Sequence, residues 1–588
     1  MDAIPPTPAR AIPPDDFPPD GRRRVIVENV QPAVDSGRFP VKRVVRETIE
    51  VSADVFADGH DVVCAALRVR TPFRESFEEP MAPLGNDRFA IAFTPERLGR
   101  YEYTVVGWLD GDRSEDTVHF PLLLDVDREI AAFGAWYEMF PRSASAESGR
   151  SGTFADVEKR LPYLAGMGFD VLYLPPIHPI GRSHRKGRNN AVIARPDDVG
   201  SVWAIGGAEG GHKSIDASLG TLDDFRHLVK AADAHGLEIA LDIAFQCSPD
   251  HPYAKEHPEW FRRRPDGSIQ CAENPPKIYE DIYPFDFSTS EWRSLWLELR
   301  SVFDFWIDQG VKIFRVDNPH TKAFPFWEWC VAGLRSDHPD VVLLSEAFTR
   351  PRVMQRLAKL GFNQSYTYFA WRNSAWELRE YFEELVGTDV VEYLRPNVWP
   401  NTPDILTAYL QENDRPAFVI RAVLAATLAS TYGVYGPVFE LAEGRAREPG
   451  SEEYLDSEKY EVLHWDLDQP HSLSPLLTRL NSIRRSHAAF HTNRTLQFHD
   501  TDNEALLCYS KRDPATGAAV LCVVNVDPRL SHDGNVHLDL DELGLAHDDE
   551  FVVRDLLGGA SYTWRGAHSW VRLDPQTLPA HVFAIEPA

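Results

Sequence analysis

The chain has few of the features that mark nucleic-acid-binding, membrane or secreted proteins. Basic residues are outnumbered, with 61 Lys and Arg against 89 Asp and Glu and a formal net charge of −28. This argues against a nucleic acid as partner, because a phosphate backbone needs a basic face. No apolar run reaches membrane-spanning length, and the N-terminus lacks the basic-then-apolar pattern of a secretion signal. A small anionic substrate is not excluded, because a local cluster of Lys and Arg can outweigh the negative field of more distant acidic residues.

Cysteines are few and show no paired spacing, and a CxxC motif is missing. The six are Cys64, Cys247, Cys271, Cys330, Cys508 and Cys522. This pattern predicts reduced thiols and a cytoplasmic protein. Asp and Asn residues do not have the spacing of a calcium loop, so we predict neither a metal nor a cofactor.

At 588 residues the chain is too long for one core, and its patterning predicts several domains. Residues 1–22 are Pro-rich with acidic interruptions, which predicts a disordered tail. Short alternating segments over 23–128 predict an antiparallel β-sandwich, and alternation over 495–588 predicts a second one. Between them, over 129–494, strand-like runs alternate with amphipathic helical patterns. We therefore predict an α/β fold, a (β/α)8 TIM barrel, with a subdomain at 246–287 inserted after its third strand.

Two apolar runs of the predicted barrel, 314–317 and 343–346, each end abruptly in a carboxylate followed by polar residues. A buried parallel strand has this pattern where its C-terminal end opens onto a catalytic face. A stretch of helix length separates the runs, so we expect neighbouring strands. Further strands are expected at 170–174, 237–243 and 365–369. Two carboxylates on adjacent strand ends, Asp317 and Glu346, are the minimum for cleaving a glycosidic bond.

Cleavage of an acetal needs a nucleophile on one side of the anomeric carbon and an acid on the other. Asp317 suits the nucleophile, because Arg315 points to the same side of the strand and can keep a carboxylate ionised. Glu346 suits the acid, because desolvation at an apolar strand end raises a carboxyl pKa. Asp404, expected at the end of the seventh strand, could bind ring hydroxyls and stabilise positive charge on the sugar. Any one of these carboxylates could be a helix cap, but three in barrel order favour catalysis.

The order Asp242, Arg315, Asp317, Glu346 and Asp404 resembles the α-amylase superfamily, glycoside hydrolase family 13. Several runs more narrowly resemble the GlgE-type α-1,4-glucan:maltose-1-phosphate maltosyltransferases. They are WYEMFPRS (136–143), HPIG (178–181), HRKGRNN (184–190), QCSPDHP (246–252), NPPKIYEDIYP (274–284), DNPHTK (317–322) and SEKY (457–460). Pro403 and Gln246-Cys247 also stand where amylases usually or often have His and Asn-His, which agrees with this branch.

The resemblance implies a retaining glycosyltransferase of glycogen or α-glucan synthesis. It would move a maltosyl unit from α-maltose 1-phosphate, through an ester on Asp317, to the non-reducing 4-OH of a linear α-1,4-glucan. Glu346 would protonate the leaving phosphate and then deprotonate the acceptor. The phosphate would bind to Asn274, Lys277 and Tyr279, an amide, an ammonium and a phenol in one Pro-stiffened loop. The positions implied to bind the two sugar rings are Lys186, Gln246, Asp281, Asn318, Lys459 and Tyr460.

Some interpretations stay open at this point. Lys277 could be a solvated loop lysine, and Tyr460 could be an ordinary core aromatic. A hydrolase or transglycosidase of the same superfamily, acting on α-glucan or trehalose, would share the carboxylates but would not need a phosphate site. A glycan-binding protein without activity would not need the complete set of Arg315, Asp317, Glu346 and Asp404.

One departure from the family concerns oligomerisation. Family members carry a long helical segment between the N-terminal sandwich and the Trp-Tyr-Glu motif, whereas here 120–124 passes to 133–136 with almost nothing between. That segment and the N-terminal domain help to form the family's dimer. The sequence therefore leaves open both a homodimer and the preferred acceptor length.

Overall fold

The structure, a computed structural model, describes residues 22–274, 277–547 and 550–587. The tail predicted over 1–22 lies, apart from Arg22, outside the described residues. The described chain folds into an N-terminal β-sandwich, a parallel barrel and a C-terminal antiparallel sheet. Within these ranges no helix is long and apolar enough to cross a membrane.

Alternation of apolar and polar residues builds the N-terminal sandwich. Its strands are β1 (Val25–Gln31), β2 (Val41–Val44), β3 (Ile49–Ala57), β4 (Val63–Arg70), β5 (Ser76–Pro80), β6 (Ala82–Gly85), β7 (Arg88–Phe93), β8 (Gly99–Leu109), β9 (Asp112–Val118) and β10 (Leu122–Asp127). One sheet has the order β1-β3-β7-β6, and the other has the order β2-β10-β8-β4-β5, with β9 on β8. In β3, every second residue from Ile49 to Val55 is buried, as expected for a strand with one face on a core.

Eight parallel strands form the barrel. In chain order, and including the short strands of the insert, the strands are β11 (Gly134–Glu138), β12 (Val171–Leu174), β13 (Glu238–Ile243), β14 (Gln246–Cys247), β15 (Ala272–Asn274), β16 (Lys277–Tyr279), β17 (Tyr283–Pro284), β18 (Ile313–Asp317), β19 (Val342–Glu346), β20 (Gln364–Ser365), β21 (Asn397–Val398) and β22 (Thr431–Tyr435). The barrel order is β20-β19-β18-β13-β12-β11-β22-β21, and a parallel bridge from Ser365 to Pro396 closes it. The strands are buried on both faces, which explains their continuous apolar runs.

Helices follow the strands of the barrel and also occur in its insert, and three of them begin at capping boxes. They are α1 (Phe154–Gly166), α2 (Leu222–Ala234), α3 (Pro252–Glu256), α4 (Trp292–Asp308), α5 (Phe324–Asp337), α6 (Pro351–Lys359), α7 (Ala375–Val386), α8 (Ala408–Gln411), α9 (Asp414–Leu428), α10 (Gly436–Glu440) and α11 (Ser474–Ser486). Capping boxes start α1, α2 and α7, at Thr153, Thr221 and Ser374. In each box a carboxylate three residues into the helix bonds back to the cap.

The C-terminal domain is an antiparallel sheet that folds over on itself. Its strands are β23 (Gln497–Thr501), β24 (Leu506–Arg512), β25 (Ala519–Asn525), β26 (His532–His537), β27 (Glu550–Asp555), β28 (Ser561–Arg565), β29 (His568–Leu573) and β30 (Ala580–Pro587). Because β23 pairs with both β24 and β26, the sheet bends there and encloses a separate core that includes Leu521, Val536 and Phe551. The predicted fold, a barrel with an insert after its third strand and β-domains on either side, is confirmed.

Two local predictions differ from the structure. The strand predicted over 365–369 is wrong beyond Ser365: the hydroxyl oxygen of Thr367 accepts a bond from the N–H of Phe369 (3.4 Å) and starts a 3₁₀ turn over Tyr368–Trp371. The predicted Pro-stiffened loop around Asn274 and Lys277 is a two-stranded hairpin of β15 and β16.

A buried ionic cluster joins the N-terminal sandwich to the barrel. Asp127, at the end of β10, accepts bonds from Arg335 (2.8 Å) and Arg395 (2.5 Å). Burial alone would raise the pKa of Asp127, but the two guanidinium groups outweigh it and hold that pKa far below its usual value. The ammonium of Lys42, also buried, donates to the carbonyl of Ala358 at 2.7 Å. The contact between the domains therefore depends on charge pairing in a site without water access.

We expect Asp127→Asn to lower stability by ~3–5 kcal/mol, because the largely buried guanidinium of Arg395 loses its carboxylate partner and that of Arg335 keeps only Asp125. The thermal unfolding temperature, measured by calorimetry, should fall clearly. Asp58→Asn is the control, because Asp58 makes an exposed ion pair with Arg24 and its loss should change little. Equal unfolding temperatures for wild type and Asp127→Asn would show that this cluster does not hold the domains together.

Candidate active site

One buried guanidinium lies at the centre of the C-terminal end of the barrel. Arg315 on β18 donates through Nη1 to Asp242 Oδ2 and to Asp317 Oδ1, both at 2.8 Å. Its Nη2 lies 3.0 Å from Glu346 Oε1. The three carboxylates come from β13, β18 and β19, which are adjacent strands, and Asp317 is the register partner of Glu346. Parallel pairing therefore brings the carboxylates together at one edge, because Asp317 and Glu346 end their strands and Asp242 lies one residue before the end of β13.

Asp242 is held from two further sides. The Tyr173 hydroxyl donates to its Oδ2 at 2.5 Å, and the Trp203 indole N–H donates to the same oxygen at 3.3 Å. Burial raises the pKa of Asp242 to about 6, although Arg315 opposes the shift. Asp242 thus fixes the position of the Arg315 guanidinium, which in turn compensates the charge of Asp242.

The two carboxylates that end adjacent strands, Asp317 and Glu346, have pKa values shifted in opposite directions. Burial raises the pKa of Glu346 to about 8; the charge of Asp317 adds to the shift, and Arg315 opposes it. Burial alone would also raise the pKa of Asp317, but Arg315 and Lys322 outweigh it, so that this pKa lies below its ordinary value. At neutral pH the pair therefore consists of one carboxylate and one carboxylic acid, the states needed for a nucleophile and a general acid.

The turn after β18 connects this pair through the backbone. Asn318 has a positive φ of 42°, and its N–H points at Glu346 Oε2 (3.1 Å) while its side-chain amide donates to Asp317 Oδ2 (3.3 Å). The buried ammonium of Lys322 donates to the carbonyls of Asp317 (3.2 Å) and Asn318 (3.1 Å). These two bonds stabilise the positive φ of Asn318, a backbone conformation that residues other than glycine rarely adopt.

A cavity of about 450 Å³ opens beside Asp317, and most of the predicted substrate-binding residues line it. Those lining it are Lys186, Gln246, Tyr279, Asp281, Asn318, Asp317, Asp404, Lys459 and Tyr460. Lys186 is buried and makes an ion pair with Glu280. Asp281 is also buried, and burial raises its pKa; its Oδ1 has no hydrogen-bond partner within the described residues. Polar groups thus face the cavity from the loops after the second, third, fourth, seventh and eighth strands.

The hairpin of β15 and β16 forms one wall of the cavity through Ala272, Glu273 and Tyr279. Asn274 and Lys277 are register partners at its tip. The side chains of these two residues, and Pro275 and Pro276 between them, lie outside what the structure describes. Their predicted contact with a phosphate therefore remains a prediction.

Asp404 lies at the mouth of the cavity rather than directly at a strand end. The seventh strand, β21, ends at Val398, and a loop carries Asp404, whose side chain is 50% exposed. Lys459 donates to its Oδ1 at 2.5 Å. Burial would lower the pKa of Lys459, but Asp404 raises it well above its usual value. In this structure the third carboxylate is therefore paired with a lysine that is also predicted to bind sugar.

A buried group of potential metal ligands, His212, Cys247 and His251, lies behind the site. Its imidazoles form a chain: Tyr253 N–H donates to His251 Nδ1, His251 Nε2 bonds to His212 Nδ1, and His212 Nε2 bonds to the carbonyl of Ala244, each at 3.0 Å. Burial lowers the pKa of His212 to about 4, so the ring is neutral. These bonds satisfy both rings without an ion, and we assign no metal here.

Sequence reasoning gave no role to several residues that touch the carboxylates. Asp242 had a signal, because it is a carboxylate near the end of an apolar strand, yet it was not included among the site residues. Lys322 follows the nucleophile strand by five residues, but nothing in its spacing indicates that its ammonium turns back to that strand. Trp203 comes from a long loop after β12 and had no local signal.

The closed parallel barrel and its carboxylates on one guanidinium define an α-amylase-type barrel enzyme. The family model "Alpha amylase, catalytic domain" matches residues 136–296. Solved structures share the fold: AmyB, a maltogenic α-amylase from Thermotoga neapolitana, is 20% identical with a TM-score of 0.60 over 78% of this chain and 100% of that one. An α-amylase from Geobacillus thermoleovorans has a TM-score of 0.58 at 16% identity, over 77% of this chain and 98% of that one.

Two further models are narrower: "Alpha-1,4-glucan:maltose-1-phosphate maltosyltransferase, domain N/S" matches 23–114, and "GLGE, C-terminal" matches 498–585. A maltosyltransferase of that name from Methylacidiphilum infernorum is 47% identical over 97% of each chain. Another, from Streptomyces coelicolor, is 46% identical over 96% of each. The chain belongs to the α-1,4-glucan:maltose-1-phosphate maltosyltransferase family. The first alignment spans 646 positions, more than the 588 residues here, so that relative has segments which this chain lacks.

We expect Arg315→Met to lower stability by ~3–5 kcal/mol, because three buried carboxylates lose their cation. The loss should grow as the pH rises. The pKa values of Asp242 (about 6) and Glu346 (about 8) already exceed the unfolded values of about 4, so these groups favour folding less at higher pH. Without the guanidinium their pKa values rise further, and the decline steepens.

The measurement is the unfolding temperature of Arg315→Met and wild type between pH 5 and pH 8. Arg315→Lys keeps the positive charge but loses the planar, multidentate guanidinium, so its unfolding temperature should fall less than that of Arg315→Met. A deficit that is constant with pH would mean that Arg315 does not compensate these carboxylates.

Proposed function

We propose that this protein is a retaining maltosyltransferase that transfers maltosyl from α-maltose 1-phosphate to the 4-OH of an α-1,4-glucan and releases phosphate. The observation that carries the proposal is the pair of carboxylates on adjacent strand ends, Asp317 and Glu346, which share the Arg315 guanidinium and have pKa values shifted in opposite directions. Membership of the maltosyltransferase family supports the choice of donor and acceptor.

In the first step, the Asp317 carboxylate attacks the anomeric carbon while the bond from that carbon to the phosphate oxygen breaks. Glu346 donates its proton to the departing oxygen, and a β-linked maltosyl ester forms on Asp317. The low pKa of Asp317 keeps the nucleophile ionised, and the raised pKa of Glu346 keeps the acid protonated. Both states coexist near neutral pH.

In the second step, Glu346 acts as base. It takes the proton of the acceptor hydroxyl as that oxygen attacks the ester carbon, and Asp317 leaves as a carboxylate. Two inversions give net retention, and each residue returns to its starting protonation state. Asp404 and Lys459 are proposed to bind sugar hydroxyls at the mouth, where their ion pair opens to substrate.

The phosphate is proposed to bind between the hairpin of β15 and β16 and the turn after β18. Tyr279 and Lys322 line the cavity there, and the hairpin also carries Asn274 and Lys277. A dianionic leaving group needs such cations and donors. A plain hydrolase of α-glucan or trehalose has no use for them, so this alternative is not favoured.

The deciding experiment follows phosphate release from maltose 1-phosphate with and without glycogen. We expect release that glycogen stimulates, together with growth of the glucan. Release of maltose from glycogen or glucose from trehalose, with no phosphate from maltose 1-phosphate, would reject the transferase in favour of the hydrolase.

A cytoplasmic location and a homodimer are also proposals. The first is supported by the thiols, all six of which are free. The second is supported by family resemblance, although only residues 128–133 separate β10 from β11. Light scattering of the purified protein distinguishes monomer from dimer.

The two carboxylates should give different phenotypes when removed. We expect Asp317→Ala to lose turnover by at least about 10³-fold, because no ester can form. Glu346→Ala should still form the maltosyl enzyme, because phosphate needs less acid assistance than a sugar alcohol, and should be slow to resolve it. Mass spectrometry of Glu346→Ala with donor should show an adduct of disaccharide mass, which Asp317→Ala should lack. An adduct in the Asp317 variant would assign the nucleophile elsewhere.

The pKa of Glu346, about 8, predicts the pH dependence of the first step. Protonated Glu346 assists the departure of the phosphate, so kcat/KM for the donor should decline above pH 8 and level off near the value of Glu346→Gln. Asp317 has a lowered pKa and should cause no loss between about pH 5 and 7. In Glu346→Gln the alkaline decline should vanish, leaving only the titration of the substrate. An unchanged alkaline limb in that variant would show that another group carries it.

A further inference from the structure

Three tryptophans form an aromatic patch on two neighbouring helices of the barrel, α4 and α5. Trp292 and Trp296 lie one turn apart on α4, and their ring centroids are 4.6 Å apart. Trp329 on α5 lies 5.8 Å from Trp296 and is 40% exposed, while the other two indoles are partly exposed. We call these three residues the tryptophan surface. A contiguous patch of exposed rings marks a binding surface, whereas single exposed apolar residues are ordinary.

Buried rings lie behind the tryptophan surface and keep it in place. Phe326, which has no exposed area, lies 5.7 Å from Trp296 and 6.3 Å from Trp329 between ring centroids. The space behind the indoles is therefore filled, so the rings do not turn inward. A rigid ring loses little conformational entropy when a ligand stacks on it.

The Arg293 guanidinium places hydrogen-bond donors beside these rings. Its Cζ lies 4.2 Å from the centroid of the Trp292 ring, the geometry of a cation–π contact. Over the described part of the chain, no group accepts a hydrogen bond from this exposed guanidinium or forms an ion pair with it. Aromatic faces with free donors beside them suit a sugar, because its C–H face stacks on a ring while its hydroxyls accept hydrogen bonds.

The tryptophan surface is connected to the active-site cavity but does not line it. Phe287 lines the cavity, and its ring lies 5.4 Å from that of Phe326, the residue behind the indoles. The helix α4 begins at Trp292, soon after Phe287, and α5 begins at Phe324, soon after the cavity residue Lys322. The first turns of both helices therefore lie at the catalytic end of the barrel, within reach of a long chain that leaves the cavity.

We propose that the tryptophan surface is a second binding site for α-1,4-glucan, separate from the active site, which keeps the polymer on the enzyme between transfers. This inference rests on the proposed function, because it takes the polymeric acceptor from it. A cavity of about 450 Å³ holds only a few sugar rings, so most of a long glucan lies outside it. A second contact makes the return of the chain end to the active site intramolecular and raises its effective concentration there. A glucan too short to span both sites gains nothing.

Binding is measured without turnover by electrophoresis in native gels that contain glycogen. We expect glycogen to retard the wild type, and Trp329→Ala to raise the apparent Kd for glycogen about fivefold. Trp329→Phe, which keeps a ring, should restore most of the retardation, and Arg293→Ala should lose part of it. Trp292→Ala is the second variant, and it decides the question if Trp329→Ala folds poorly.

Initial rates with a long and a short acceptor then test the role of the site in transfer. We expect Trp329→Ala to raise the KM for glycogen about fivefold but to change the KM for maltotetraose and kcat less than about twofold. This difference between acceptors would not arise from a general loss of structure, which lowers the rate with both.

Trp570→Ala is the control, because this indole is 57% exposed on β29 of the C-terminal domain and its loss should leave retardation and rates unchanged. Equal retardation of wild type, Trp329→Ala and Trp292→Ala would overturn the proposal. An equal rise in KM for both acceptors would also overturn it, because the rings would then belong to the active site. A smaller molar mass of Trp329→Ala in light scattering, with unchanged retardation, would assign the surface to a contact between copies of this chain.

The outcome is separable from that of the proposed function. Lack of phosphate release from maltose 1-phosphate by the wild type would reject the maltosyltransferase. The gel comparison does not depend on turnover, so it still decides whether the tryptophan surface binds glucan.

Discussion

The active site depends on one buried cation, the guanidinium of Arg315, shared by carboxylates from three neighbouring strands. Each of those carboxylates would be too costly to bury alone, and the arginine would be equally costly without them. The cluster therefore requires the register of β13, β18 and β19, since a slip of one residue would move a carboxylate to the other face of its strand. The strand register of the barrel and the charge compensation in the active site therefore depend on each other.

The surroundings that Asp317 and Glu346 share, and those they do not, also explain why two carboxyl groups have different roles. Asp317 receives the guanidinium, the Asn318 amide and the field of Lys322, and these together outweigh its burial. Glu346 receives the same guanidinium and one backbone N–H, which do not outweigh its burial beside the charge of Asp317. The pKa shifts therefore place the proton on Glu346 rather than on Asp317. The distinction arises from the turn at Asn318, a backbone feature, more than from the residue types.

The sequence predicted the parts of this protein that depend on local pattern. Apolar runs ending in carboxylates predicted β18 and β19, and alternation predicted the flanking β-domains, because burial on two faces or on one leaves a direct trace in residue order. The hairpin of β15 and β16 and the turn after Ser365 were missed, because Pro and aromatic residues fit loops, strands and turns alike. The contacts of Trp203 and Lys322 with the site depend on long-range packing and on a left-handed turn, which spacing does not reveal.

The burial of the catalytic pair bears on how a transferase avoids becoming a hydrolase. After the first step, an ester on Asp317 faces water at a far higher concentration than any glucan. Transfer can dominate only if a sugar hydroxyl is held next to Glu346, where positioning is worth far more than bulk concentration. Glu346 is only 8% exposed, so the space beside it is small, and a hydroxyl presented by a bound glucan has the advantage over bulk water.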